Sequence, residues 1–180
     1  KINGKRGGEF IFAPGSTDYR KRIQYQTYDV TGLLQGGDNE LTVELADGWY
    51  RGSNGAKGRR NTYGKQTKLF AQLEIYASDG SISRICTDES WAWSNDGAIE
   101  FADLKDGERV NANKTPSYSG VAKVVSFTAN LTASNNVQVK ERERFSPVGC
   151  ITTPTGKKVL KFPQNLSGYI SFKLNAHEGD

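Results

Sequence analysis

Between Asp47 and Lys68 the chain gathers the residue types best suited to holding a ligand. The motif Asp47-Gly48-Trp49-Tyr50-Arg51-Gly52 joins two aromatics and a cation to a glycine-rich loop. From Arg51 to Lys68 there are six cations (Arg51, Lys57, Arg59, Arg60, Lys65 and Lys68) and no acid. The whole chain carries +4, so the remainder is 4 − 6 = −2 and the basic character is local. A positive, aromatic-flanked loop on a near-neutral body is where a ligand or partner surface is expected. Trp49 and Tyr50 offer flat apolar faces with polar edges. Read as successive strand residues, they point to opposite faces, one toward the core and one toward solvent. Arg51, Arg59 and Arg60 can clasp carboxylates in a bidentate fork. Asp18 and Tyr19, just ahead of Arg20-Lys21-Arg22, and Asn54, just after the aromatic motif, complete the candidate ligand-binding set.

The elements that must hold these residues are strands. Twenty glycines, eight tyrosines and eight phenylalanines, with no long stretch of 3.6-residue period, indicate an all-β chain. Apolar and polar residues alternate over residues 41–45, 73–77, 81–85, 159–162 and 169–174. Turn signals separate them, such as Ser78-Asp79-Gly80, Asn95-Asp96-Gly97 and Pro154-Thr155-Gly156. Short strands punctuated in this way indicate a jelly-roll-like β-sandwich. Only residues 28–34 can carry a helical turn. Residues 112–136 are poor in charge and rich in small polar side chains, and alternation restarts at Val137. This places one domain over residues 1–133 and the first strands of a second β-sandwich over 134–180, with both ends of the chain cutting through larger elements. A piece of that size holds little core alone, so the apolar residues of 137–174 are expected to seek another surface, by self-association if nothing else covers them.

Several functions are disfavoured by composition. No run of about 18 apolar residues exists to span a membrane as a helix. Cys86 and Cys150 lie 64 residues apart and read as small buried or half-buried residues rather than a disulfide. One histidine, His177, and no CxxC or HxxxH spacing leave no transition-metal or other metal site to assign, and no cofactor. One basic loop without an aromatic stacking face is a weak nucleic-acid signal, so none is expected as a partner.

Further motifs carry a family resemblance. Ile2-Asn3-Gly4-Lys5-Arg6, the run Ala-Pro-Gly-Ser-Thr-Asp-Tyr-Arg-Lys-Arg over 13–22, Asp47-Gly48-Trp49-Tyr50-Arg51-Gly52, Thr87-Asp88-Glu89-Ser90-Trp91 and Asp106-Gly107-Glu108 resemble the N-terminal β-sandwich domain of bacterial α-L-rhamnosidases, glycoside hydrolases of family 78. Phe162-Pro163-Gln164-Asn165 is similar to the start of the following β-domain, with Pro163 where a glycine is usual. Ser16, Ser53-Asn54 and Val110-Asn111 also depart from the family pattern.

In that family the hydrolysis belongs to an (α/α)6 barrel outside this region, so the resemblance implies an accessory, non-catalytic role beside such a barrel. It implies a rhamnose-containing oligo- or polysaccharide as ligand, acidic pectic glycans included, and an extracellular or periplasmic bacterial setting. Alternatives are an independent carbohydrate-binding module and a purely structural spacer. A calcium-assisted sugar site occurs in some relatives; Asp18, Asp47 and Asn54 are the oxygens it would draw on, but no dense Asp-x-Asp pattern supports it. No catalytic pair is assigned within the chain. Adjacent Asp88 and Glu89 would point to opposite faces of a strand, and Asp106 and Glu108 flank a turn glycine, whereas inverting glycosidases need carboxyls about 6.5–9.5 Å apart across the bond. Trp91 and Trp93 share one face by the period of two and read as packing residues.

Overall fold

A computed structural model describes residues 1–118, 120–126, 128–134, 139–173 and 175. The described residues are all-β apart from two single helical turns. Its strands are β1 (Arg22–Tyr25), β2 (Gln72–Tyr76), β3 (Ile82–Cys86), β4 (Ala92–Trp93), β5 (Ile99–Asp103), β6 (Gly107–Val110), β7 (Gly120–Val121), β8 (Asn130–Ala133), β9 (Gly149–Thr152) and β10 (Lys158–Lys161). The described strands pair two by two. β2–β3, β5–β6, β4–β7 and β9–β10 are antiparallel, whereas β1–β8 is parallel, with Arg22 opposite Asn130.

The alternating stretches at 73–77, 81–85 and 159–162 lie in β2, β3 and β10. Two others do not become strands. Over 41–45 only Leu41 bridges, to Ile2, with the Lys1 amine donating to Thr42 O at 2.6 Å. Beyond Thr42 no strand pairs with the segment among the described residues, and Val43 and Leu45 stay exposed. Alternation gives a strand its faces, but a ladder also needs a partner for its N–H and C=O groups. Residues 169–173 are likewise outside any ladder, and Leu174 and His177 lie outside the described residues. The expected helical turn near 28–34 is a 3-10 turn at Thr31–Leu33.

Contacts divide the chain into a unit of Lys1–Lys140 and a unit of Glu141–Asp180. The first reaches past 133 because Ile11 N donates to Val139 O at 2.8 Å, Phe10 bridges Lys140, and Lys140 Nζ pairs with Glu9 at 2.9 Å. The second is built on the β9–β10 hairpin. Its turn is closed by Gly156 N donating to Thr153 O at 2.9 Å, with Gly156 at φ +82°, a conformation that favours glycine.

Packing corrects three expectations. Cys86 and Cys150 are free and exposed rather than buried. Trp93 is half exposed: it lies across Gly120, where an added Cβ would meet its ring at 2.3 Å, and its Nε1 donates to Val121 O at 3.1 Å. β4 and β7 are two residues each, and no third strand among the described residues joins the pair to extend a face over the ring. Trp49 and Tyr50 are helical, as described below.

Large apolar side chains stand in the open on both units, among them Tyr76, Ile85 and Val121 on the first and Ile151, Leu160 and Phe172 on the second. Burial of such surface is worth about 25 cal/mol per Å², and unpaired ladder edges invite strand addition. At high concentration the chain is expected to associate through residues 137–174, seen as a rising sedimentation coefficient. A monomer at all concentrations would remove this expectation.

Candidate functional site

The aromatic motif forms one turn of helix, α1 (Gly48–Arg51), rather than a strand. Asp47 enters in helical geometry at φ −62° and ψ −40°, Arg51 N donates to Asp47 O, and Gly52 N donates to Gly48 O, each at 3.1 Å. Gly48 holds φ +50°, which an L side chain would take at a cost. Gly52 is fixed by space: an added Cβ would sit 2.3 Å from Gly48 O and 2.8 Å from Asp103 Oδ2. Gly52, Ser53 and Asp103 are all buried.

That close approach places α1 against the end of β5, where carboxylates converge on one guanidinium. Arg60 Nη1 donates to Asp103 Oδ2 at 2.7 Å and to Asp106 Oδ2 at 3.2 Å, and Nη2 donates to Asp47 Oδ2. The guanidinium also lies 5.4 Å from the centroid of Phe101. Arg51 Nε is 2.9 Å from Asp47 Oδ1 in an i,i+4 ion pair; this buried N–H has no aligned acceptor, so the contact acts through charge rather than a directed hydrogen bond.

The Asp103 side chain is wholly buried. Burial alone would raise its pKa. It is outweighed by N–H donors from Lys105 at 2.9 Å, Ser53 at 2.8 Å and Asp106 at 3.2 Å, together with the Arg60 charge, and the carboxyl is held below its ordinary 3.8.

On the other side of α1 three tyrosines meet. Tyr19 stacks edge-on to Tyr63 with centroids 4.9 Å apart, and Tyr50 lies 5.8 Å from Tyr19 and 6.2 Å from Tyr63. Tyr19 is buried, donates to Gly15 O, and has its pKa pushed up to about 12 by burial and by Tyr63. Arg20 lies over the Tyr63 ring at 5.4 Å. Tyr50 and Tyr63 wall an open cavity of about 410 Å3, completed by Gly64, Lys65, Gln66 and Lys68. Gly64 leaves room for that wall: an added Cβ would meet Tyr50 Oη at 2.5 Å and oblige the phenol to shift.

The candidate residues thus separate. Tyr50 alone among them lines the cavity, and Tyr19 braces it from behind. Arg51 and Arg60 are engaged by carboxylates within the fold. Asn54 donates to Trp49 O at 2.8 Å and bridges Arg59 through the backbone, which leaves the exposed Arg59 side chain outside the cavity lining. Asp18 pairs with Arg20 at 3.1 Å, and that hydrogen bond holds its carboxyl below the usual range. Asp18, Asp47 and Asn54 are each committed elsewhere, and among the described residues no group of three or more His, Cys, Asp or Glu could hold a metal ion. Asp88 caps Ser90 at 2.9 Å, and Asp106 sits in the β5–β6 turn beside Arg60. Tyr63, Gly64 and Gln66 were not signalled as ligand residues; their mark in the sequence is only their place inside the basic segment.

Residues 1–144 match the model of the alpha-L-rhamnosidase N-terminal domain. The chain is 37% identical over 194 aligned positions to an alpha-L-rhamnosidase of Streptomyces avermitilis, covering 99% of this chain and 18% of that protein. Its fold is similar to the crystal structure of an Aspergillus terreus enzyme of the same name, with TM-score 0.81 and 34% identity over 92% of this chain and 20% of the other. The S. avermitilis enzyme, solved in complex with L-rhamnose, gives TM-score 0.76 at 35% identity over 88% of this chain and 16% of its own. The class is thus an all-β domain. The chain belongs to the alpha-L-rhamnosidase N-terminal domain family, and it spans about a fifth of the length of these relatives.

Replacing Asp103 with Ala should cost about 3 kcal/mol in urea unfolding, because Arg60 loses a buried partner and three N–H groups lose their acceptor. With its folded pKa depressed, Asp103 stabilises fully above pH 3.8 and loses that contribution as pH falls below it. Asp103→Asn should flatten this part of the acid limb, and an unchanged limb would assign the acid loss to other groups.

Proposed function

We propose that the chain is the non-catalytic recognition and docking region of an α-L-rhamnosidase that hydrolyses terminal α-L-rhamnosyl bonds in plant-type glycans. The observation that carries this reading is the cavity walled by Tyr50 and Tyr63. Two phenol faces suit the C–H side of a deoxy sugar, and the amide of Gln66 suits its hydroxyls. Asp18 beside the tyrosines and Asp47, Asp103 and Asp106 beside α1 are each held by arginine, a poor arrangement for moving protons. Hydrolysis then falls to an (α/α)6 barrel elsewhere in the same polypeptide, in a bacterial extracellular or periplasmic setting.

The exposed apolar strands favour docking as the second half of this role. Closure of the two-stranded ladders into jelly-roll layers would draw on the same packing. The reading is tested by titrating a neutral rhamnose-terminated oligosaccharide into the chain. Chemical shifts should move at Tyr50 and Tyr63, and Tyr63→Leu should weaken binding about tenfold, the scale of one aromatic contact, with a modest fall in melting temperature from its lost contacts with Tyr19 and Arg20. An aryl α-L-rhamnoside should stay intact in its presence. Turnover abolished by Glu108→Gln, or shifts confined to residues beyond 140, would overturn the proposal.

A further inference from the structure

The charge left over in the basic segment has a definite place. Of its six cations, Arg51 and Arg60 are matched by Asp47, Asp103 and Asp106. Lys57, Arg59, Lys65 and Lys68 enter no ion pair among the described residues. Lys65 and Lys68 line the cavity that Tyr50 and Tyr63 wall, and no acid lines it. Its volume, about 410 Å3, lies within the range of small-molecule sites, roughly 300–1,000 Å3. A neutral sugar needs stacking faces and hydrogen-bonding edges but gains little from two ammonium groups. A sugar that carries a carboxylate uses all three.

Resting on the carbohydrate-recognition reading above, the geometry points to a subsite for a uronic acid unit, with its ring on the tyrosine wall and its carboxylate beside Lys65 and Lys68. Both lysines are exposed, so their attraction is screened and must weaken as salt rises. Ammonium groups are compact point charges without the planar fork of arginine. The subsite therefore selects the charge rather than one uronic acid epimer, and the stacked ring face supplies what stereochemical choice there is.

The test compares an oligosaccharide of alternating rhamnose and galacturonic acid with the same oligosaccharide after reduction of its carboxyl groups, by calorimetry on the chain at low and at high salt. The acidic form should bind about fivefold tighter at low salt, the scale expected of two exposed charges, and the gap should close at high salt. Lys65→Gln with Lys68→Gln should abolish the preference while leaving the reduced form's affinity unchanged. Lys57→Gln, a change to an exposed lysine outside the cavity lining, should leave the preference intact. Equal binding of the two forms overturns the uronate subsite and leaves the carbohydrate reading standing, whereas no binding of either overturns both. A preference that survives the double substitution, or that Lys57→Gln removes equally, places the effect outside this cavity and refutes the subsite.

Discussion

Arg60 joins three segments that the backbone alone would leave apart. Its guanidinium takes Asp47 at the entry of α1, Asp103 at the end of β5, and Asp106 in the turn that follows. The side chains of Asp47 and Asp103 are largely or wholly withdrawn from water, and the buried residues Gly52 and Ser53 lie against them. A carboxylate taken out of water is costly unless paired and hydrogen-bonded. Here Asp103 accepts three backbone N–H groups besides the arginine. In a chain where many large apolar side chains remain exposed, this polar junction sets the position of α1, and α1 sets the position of Tyr50.

This junction changes what the basic segment means. Counted along the sequence, six cations without an acid read as one positive loop. In three dimensions the acids come from elsewhere, 43 residues away in the case of Arg60 and Asp103. Two arginines become part of the fold, and of the four cations left without an ion pair among the described residues, Lys65 and Lys68 line the cavity while Lys57 and Arg59 do not. The planar fork of arginine suits the convergent carboxylates, and the more flexible lysines line the open cavity. Residue type and position agree, although composition alone could not separate the two roles.

What could be read in the sequence was what depends on local pattern. Turn chemistry and the period of two located β2, β3 and β10, and the order of short motifs identified the family. What depended on a distant partner was lost. Residues 41–45 have the alternation of a strand but find only Ile2 opposite Leu41. Trp93 has the composition of a core residue but rests on Gly120 of a two-residue ladder. At Trp49 and Tyr50, which read as successive strand residues, the sequence holds a local signal for the helical turn that forms instead. Asp47 and Arg51 stand at i,i+4, the spacing of a helical ion pair, and Gly48 permits the positive φ with which the turn begins.

The helical turn also explains how one short motif serves two ends. Successive residues of a helix are about 100° apart around its axis, so neighbours face different surroundings. Arg51 turns to Asp47 in the ionic junction, while Tyr50 turns to Tyr19, Tyr63 and the cavity. The glycines on either side make this possible without side chains of their own, Gly52 by admitting Asp103 and Gly64 by admitting the Tyr50 hydroxyl. A side chain at Gly64 would act on the cavity wall directly and leave the junction in place. A side chain at Gly52 would act on the junction first and reach the cavity only through α1. The two halves of the corner are thus adjacent in sequence but separable in mechanism, and the order in which they fail under substitution is set by which group each glycine admits.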